Sequence, residues 1–373
     1  VPRRESLVLR SGPISYNGVA TPYCSNDPGG LFMLVALFWL ALGPVQPDDW
    51  QKLEAVHLKN IKQITHDFVR AGEGYFSPDM KQIIFQAEEK DTGNPFYQIF
   101  VLERATGKYR RVSPGVGRTT CSYFSPDGKK IIFASSHLDP EAKIHQAEEY
   151  RQREEDRKQG RRRNYQWDFD PWMDIFEANP DGSELKRLTD AKGYDAEGSY
   201  SPDGKRIVFC SKRDGNLQLY IMDADGKNVR QLTHAPGCYN GGPFFSPDGK
   251  RIIFRSDRKK KDYLQIYVIN ADGSEERALT DTEGVNWAPY WFKDGKHIIY
   301  TAADHSNPAM RPNYDLWWMN IETGKKVRIT FAPGADVLPA FSPDGSKLLW
   351  TSTRDGRQPA QLFLADFVQP RED

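Results

Sequence analysis

The apolar positions of this chain fall into short clusters of three to five residues, separated by polar turns, and the clusters recur. Ile131-Ile132-Phe133, Ile207-Val208-Phe209, Ile252-Ile253-Phe254 and Ile298-Ile299-Tyr300 each follow a turn of one kind. Runs this short, β-branched and bounded by Gly and Pro read as buried strands, not as helices. A second cluster follows in each unit: Gln98-Ile99-Phe100-Val101, Asp174-Ile175-Phe176, Gln218-Leu219-Tyr220-Ile221, Gln265-Ile266-Tyr267-Val268, Asp315-Leu316-Trp317-Trp318 and Gln361-Leu362-Phe363-Leu364. A further strand ends in Leu188-Thr189, Leu232-Thr233, Leu279-Thr280 or Ile329-Thr330.

The turn ahead of the first cluster is itself a repeat. It reads Phe76-Ser77-Pro78-Asp79, Phe124-Ser125-Pro126-Asp127-Gly128, Tyr200-Ser201-Pro202-Asp203-Gly204, Phe245-Ser246-Pro247-Asp248-Gly249 and Phe341-Ser342-Pro343-Asp344-Gly345, with a degenerate copy at Phe292-Lys293-Asp294-Gly295-Lys296. Proline presets φ, aspartate bonds its own backbone and glycine supplies positive φ. The motif aspartates lie 48, 76, 45, 46 and 50 residues apart. Four of these intervals match one propeller blade, and the fifth holds an insertion. Four strands per unit and six units predict an all-β fold, a six-bladed β-propeller of four-stranded blades. The last unit stops after its third strand. Asn60-Ile61-Lys62-Gln63-Ile64-Thr65 resembles Asn228-Val229-Arg230-Gln231-Leu232-Thr233. An N-terminal strand is therefore expected to complete the last blade and close the ring, which protects its edges.

The expected organisation is a leader and lead-in over 1–56, the propeller over 57–367 and a tail over 368–373. Leu31 to Gly43 is apolar and uncharged over 13 residues, too short to span a bilayer and suited to the core of an export signal, with Ala41-Leu42-Gly43 at cleavage-like spacing. A buried or interfacial segment is the alternative. No other stretch is apolar enough to span, so no transmembrane span is expected in the mature chain. Lys+Arg and Asp+Glu number 51 each, a balance that argues against nucleic acid as a partner. Cys24, Cys121, Cys210 and Cys238 form no CxxC and no zinc spacing.

The insertion, 138–171, falls between the second and third strands of blade two. Its centre from Ile144 to Gly160 is charged, free of proline and laced with i,i+4 pairs such as Glu149 with Arg153 and Glu154 with Lys158, which predicts a helix. Arg161, Arg162 and Arg163 follow, then Tyr165, Trp167, Phe169 and Trp172. Arg, Tyr and Trp are the residue types of interface hot spots, so these seven are candidates for contacting a partner; a solvated arm with its aromatic foot on the ring is the plain alternative.

The loops from fourth to first strand and from second to third strand share one face, where the channel opens. His66, His137, Asp195, Glu197, His234 and His305 collect there as candidate ligand or metal residues, beside Glu73, Tyr194, Tyr239, Asn240, Asn286 and Asp336 near the channel. Histidines with carboxylates suit zinc or manganese, and carboxylates with amides suit calcium; the alternative is that these groups solvate a water-filled channel or cap turns. No cofactor is required by any motif, and no catalytic residue is assigned.

The repeats resemble those of the TolB-like propellers of exported bacterial proteins over about residues 57–367. The blocks that carry the resemblance are Gly193-Tyr194-Asp195-Ala196-Glu197 through Ser201-Pro202-Asp203-Gly204-Lys205-Arg206-Ile207-Val208-Phe209, and Asp223-Ala224-Asp225-Gly226 with Gln231-Leu232-Thr233. The resemblance implies a periplasmic or otherwise exported, non-catalytic interaction or scaffold module of the cell envelope, with a protein partner bound by the insertion or the loop face. Two alternatives stand beside it. One is a channel-mouth ligand-binding protein or metal-dependent lyase or hydrolase on a sugar or small substrate. The other is an accessory subunit of a separate peptidase or transporter complex. Similar blades occur in prolyl peptidases, but these residues hold no G-x-S-x-G nucleophile elbow.

Overall fold

A computed structural model describes residues 49–161, 169–306, 312–354 and 359–371. The leader segment with its apolar run lies outside the described residues. After a short helix α1 (Trp50–Glu54) comes β1 (Leu58–Gln63), and then the blades follow in order. Blade one is β2 (Phe68–Phe76), β3 (Gln82–Glu89), β4 (Gln98–Glu103) and β5 (Tyr109–Arg111). Blade two is β6 (Thr119–Phe124), β7 (Ile131–Ser135), β8 (Asp174–Ala178) and β9 (Lys186–Arg187). Between β7 and β8 stands α2 (Ala142–Lys158). Blade three is β10 (Asp195–Tyr200), β11 (Arg206–Ser211), β12 (Gln218–Asp223) and β13 (Arg230–Gln231). Blade four is β14 (Asn240–Phe245), β15 (Arg251–Ser256), β16 (Gln265–Asn270) and β17 (Arg277–Ala278). Blade five is β18 (Val285–Trp291), β19 (His297–Ala303), β20 (Asp315–Asn320) and β21 (Lys326–Arg328). Blade six is β22 (Asp336–Phe341), β23 (Lys347–Ser352) and β24 (Gln361–Phe367), and β1 pairs antiparallel with β24 as its fourth strand. The fold is the six-bladed propeller of four-stranded antiparallel sheets that the repeat predicts.

The second strands are continuous apolar runs because both of their faces are covered by other blades. Ile83 and Phe85 enter one inter-blade core while Ile84 enters the next. Successive side chains on a strand point to opposite faces, so one strand serves two cores.

The turn motif also links blade to blade. Ser246 Oγ donates to Asp248 Oδ1 at 2.5 Å, and Asp248 Oδ1 accepts Lys250 N–H at 3.1 Å. Arg251 N–H donates to Ser246 Oγ at 2.9 Å. Gly249 has φ +70° and faces the proline of the preceding turn, where a Cβ would lie 3.5 Å from Pro202. The same pairing joins Gly204 to Pro126 and Gly128 to Pro78. Blade five departs from the pattern read in the sequence. Phe292 N–H donates to His297 O at 2.9 Å, as Ser246 N–H does to Arg251 O at 2.7 Å, so Phe292 holds the serine's place. His297 supplies the missing link, with Nδ1 2.6 Å from Asp294 Oδ2 and its ring stacked on Trp318.

The recurring Thr after the fourth strand replaces a ladder bond that this short strand cannot make. Thr65, Thr189, Thr233, Thr280 and Thr330 each accept, through Oγ1, the N–H of the second residue of a third strand, and Ser113 does so in blade one. Thr233 also donates to the buried Gln218 Oε1 at 2.9 Å. Thr233→Val is therefore expected to leave the Leu219 N–H unsatisfied and to cost about 1–3 kcal/mol, read as a lower urea midpoint at unchanged slope. A cost below 0.5 kcal/mol, the usual size of a neutral surface change, would contradict this role.

Candidate functional site

Each innermost strand carries one residue at positive φ where its pairing register shifts: Glu73, Cys121, Glu197, Gly242, Ala288 and Leu338, with φ between 47° and 60°. These bulges aim one residue per blade at the propeller axis. Three blades in succession present Glu73, Cys121 and Glu197, and the other three present small or apolar groups. The next inward position on four blades is aromatic. Tyr75 lies 5.6 Å from Phe244 and 5.9 Å from Tyr290 between ring centroids. Tyr123 and Tyr290 hydroxyls are 3.0 Å apart. Blades one and four face each other across the ring, so the Tyr75–Phe244 contact closes the channel at this level. The water-filled channel considered from the sequence is replaced here by an aromatic floor with a recess above it.

That recess has non-atom space of about 450 Å³, counted out to its mouth, and all six inner strands line it. Glu197 is tied on every side: it accepts from Tyr239 Oη at 2.9 Å, from Tyr194 Oη at 3.3 Å and from Gly242 N–H, and pairs with Arg255 at 3.2 Å. Arg255 donates to Tyr239 Oη at 2.8 Å and lies over Trp287. Glu73 is held far more loosely, by Tyr75 Oη at 3.4 Å and the Cys121 thiol at 3.9 Å. Burial pushes its carboxyl up to about 7, the Glu197 charge adds to the rise and Arg255 opposes it. Burial likewise lifts the Tyr75 phenol and Cys121 thiol well above their ordinary ranges.

The six candidates singled out from the sequence do not converge. Glu197 alone lines the recess. Asp195 is buried two residues before the bulge and pairs with Arg213 of its own blade at 3.0 Å. This pairing rests on a Ser-x-Arg signal that the sequence carries at Ser211–Arg213, Ser256–Arg258 and Ser352–Arg354, where each arginine reaches the strand-one Asp195, Asn240 or Asp336. His137 stands at the same place in blade two: its Nδ1 is 2.9 Å from Ser135 Oγ, its ring lies 4.5 Å from Phe176, and burial with the Arg187 charge lowers its pKa. His305 contacts Tyr314 Oη at 3.2 Å, and His66 and His234 are exposed. Among the described residues no group of three or more His, Cys, Asp or Glu is placed to hold a metal.

The insertion is anchored and not freely solvated. Arg153 of α2 donates to Glu88 at 2.7 Å and to the Pro95 carbonyl at 2.9 Å, and Glu88, almost fully buried, also takes Arg70 at 2.8 Å. Ala142 and Gln146 face the ring, while Ile144 and Tyr150 are exposed at 57% and 39%. Of the seven partner candidates, Arg162, Arg163, Tyr165 and Trp167 lie outside the described residues. Arg161 is exposed and pairs with Asp156. Phe169 packs edge-on to Tyr194 at 5.3 Å and against Tyr239 at 5.9 Å, so the foot of the insertion lies on the residues that hold Glu197. Trp172 is 45% exposed. No helix among the described residues is long and apolar enough to cross a membrane.

The family model described as "TolB beta propeller domain" matches residues 167–239. Dipeptidyl-peptidase 5 of Porphyromonas endodontalis is 27% identical over 239 residues, which is 51% of this chain and 34% of that protein. A protein TolB homolog of Chlorobaculum tepidum is 37% identical over 169 residues, 45% of this chain and 26% of that protein. The chain thus matches about a third of the peptidase and about a quarter of the TolB homolog. The solved structure of a putative TolB from Agrobacterium tumefaciens superposes with a TM-score of 0.57 at 19% identity, covering 84% of this chain and 98% of that one. That likeness concerns the fold. With six blades built on one turn motif and closed by a strand from the N-terminal side, the chain is a six-bladed propeller whose repeats are similar to those of the TolB propellers.

Proposed function

We propose that the protein is a non-catalytic protein-docking module of the bacterial cell envelope, with the blade-two insertion as its docking arm. The observation that carries this reading is α2. It is a 17-residue helix with only Ala142 and Gln146 buried, yet it is locked to blade one through Arg153 and Glu88. A helix held rigidly with Ile144 and Tyr150 outward offers a surface whose ordering cost is already met before a partner arrives. The TolB homologues among its relatives support an exported, periplasmic setting. Residues 1–56 as leader, 57–367 as ring and 368–373 as tail belong to the same proposal. Docking of this kind uses no cofactor and no metal. An accessory role beside a peptidase or transporter chain is one form it takes, since a dipeptidyl-peptidase is among the relatives.

The test places a photo-crosslinking residue at Ile144, or at Asp181 on the opposite face, in cells that export the protein. One dominant adduct at 144 and none at 181 is expected. The partner so identified, once purified, should bind the wild-type protein at least ten-fold more tightly than the Arg153→Met variant, whose helix is unpinned. Equal adducts at both positions, or a partner indifferent to Arg153, would defeat the docking-arm assignment.

A further inference from the structure

We propose that the recess at the propeller axis binds a small primary amine, with its ammonium group on Glu73 and its carbon chain along Ala288, Pro289 and Pro339. The recess is asymmetric. Glu73 and Ser122 come from blades one and two, and the small and apolar Ala288, Pro289, Leu338 and Pro339 from blades five and six. A ligand suited to it carries a charged, hydrogen-bonding head and a short apolar tail.

The head must be cationic. The charged and titratable groups that face Glu73 come from four strands: Tyr75 on its own β2, Cys121 on β6, Glu197 on β10 and Arg255 on β15. The one cation among them, Arg255, is engaged by Glu197 at 3.2 Å and by Tyr239. Among the described residues no cationic nitrogen lies within ion-pairing distance of Glu73. Ser122 points to the same ligand independently. It is 2% exposed, it lines the recess, and its Oγ is a buried polar atom with no hydrogen-bond partner among the described residues. Buried hydroxyls are normally satisfied, so an orphan lining the same recess as a loosely held carboxylate marks a place for a further donor. The row that Ser122 occupies is Gly or Pro in every other blade: Gly74, Gly198, Pro243, Pro289 and Pro339. A primary ammonium has three N–H donors, enough for both oxygens of Glu73 and for Ser122. Tyr75, Tyr123 and Phe244 also line the recess, and aromatic rings attract cations.

Binding is coupled to a proton. With Glu73 titrating about 7, an ammonium ion takes the site from the proton that otherwise neutralises it. The ligand's proton stays on nitrogen, and the Glu73 proton passes to solvent.

The experiment is a calorimetric titration of the whole protein with n-propylammonium chloride at fixed ionic strength. Saturable one-to-one binding is expected at pH 8 and about ten-fold weaker binding at pH 6, the ratio of ionised Glu73 for a pKa about 7. At pH 7 the heat should depend on the buffer's ionisation enthalpy, showing proton release. Tetramethylammonium, which has no N–H, and sodium should bind at least ten-fold more weakly. Glu73→Gln keeps the shape of the protonated side chain and should abolish binding, and Ser122→Ala should weaken it several-fold. If the Gln variant does not fold, the buffer dependence and the Ser122 variant decide alone. No saturable heat at millimolar amine, or binding equal at both pH values without proton release, overturns the proposal.

Discussion

Glu54→Ala is expected to lower the free energy of unfolding by about 3–5 kcal/mol. Glu54 is fully buried. It accepts the Phe331 N–H at 2.7 Å and the Ala332 N–H at 3.1 Å, and it takes Arg354 through two contacts at 2.7 Å and 3.2 Å. Arg354, itself almost fully covered, reaches Asp336 at 3.3 Å. Alanine would orphan two buried N–H groups and leave Arg354 with Asp336 as its one carboxylate partner among the described residues, and each such loss is costly in a low dielectric. The damage falls at the seam of the ring, because α1 leads into β1 and β1 completes the blade that closes it. The checks are the urea midpoint and amide exchange in β1 and β24, which should speed up more than in β11. Glu54→Gln keeps an acceptor for the two N–H groups and should lose less than Ala. A loss under 1 kcal/mol in the alanine variant would show that the N-terminal helix is not part of the closure.

The second large effect is a stability that declines with pH from about 4.5 to 7 because of Glu73. Its carboxyl titrates about 7 in the folded chain and near 4.5 when unfolded. The folded state thus holds a proton that the unfolded state has released throughout that window. Its contribution is fully present below 4.5 and is lost as pH rises through the folded value. At about 1.4 kcal/mol per unit, the swing is on the order of 3 kcal/mol, an upper figure because the carboxylate faces a recess that water reaches. Glu73→Gln removes the titration, so the difference in stability between variant and wild type should shift towards the variant as pH rises from 5 to 8. Asp174 and Asp336, each raised to about 6 by burial, are present in both proteins and cancel from that difference. A difference flat across this range would mean that Glu73 is solvated in the folded state.

Much of the architecture was legible because the repeat is local. Ser246, Asp248 and Gly249 satisfy one another within six residues, so each turn announces itself wherever it occurs. Even the Leu-Thr endings were visible, although their reason, a threonine oxygen standing in for a ladder acceptor, needs the third strand beside it. The helix of the insertion was legible from its i,i+4 charges, and Arg153 with Glu149 forms at 2.6 Å. Its anchoring was not, because Glu88 and Pro95 belong to another blade.

The candidate site divides in the same way. Histidines drew attention for their chemistry, yet His66 and His234 face solvent and His137 replaces an arginine in a structural pairing. The recess is made instead by six backbone bulges, and a bulge in one strand leaves no mark in a sequence read for alternation. By itself the sequence determined the number of blades, the strands within them, the turns and the place of the insertion, since each depends on contacts between near neighbours in the chain. Only the tertiary structure decided which side chains meet at the axis. Glu73, Ser122, Glu197, Arg255 and Pro339 come from five different blades, and their meeting depends on the curvature of the closed ring and on the exclusion of water within it.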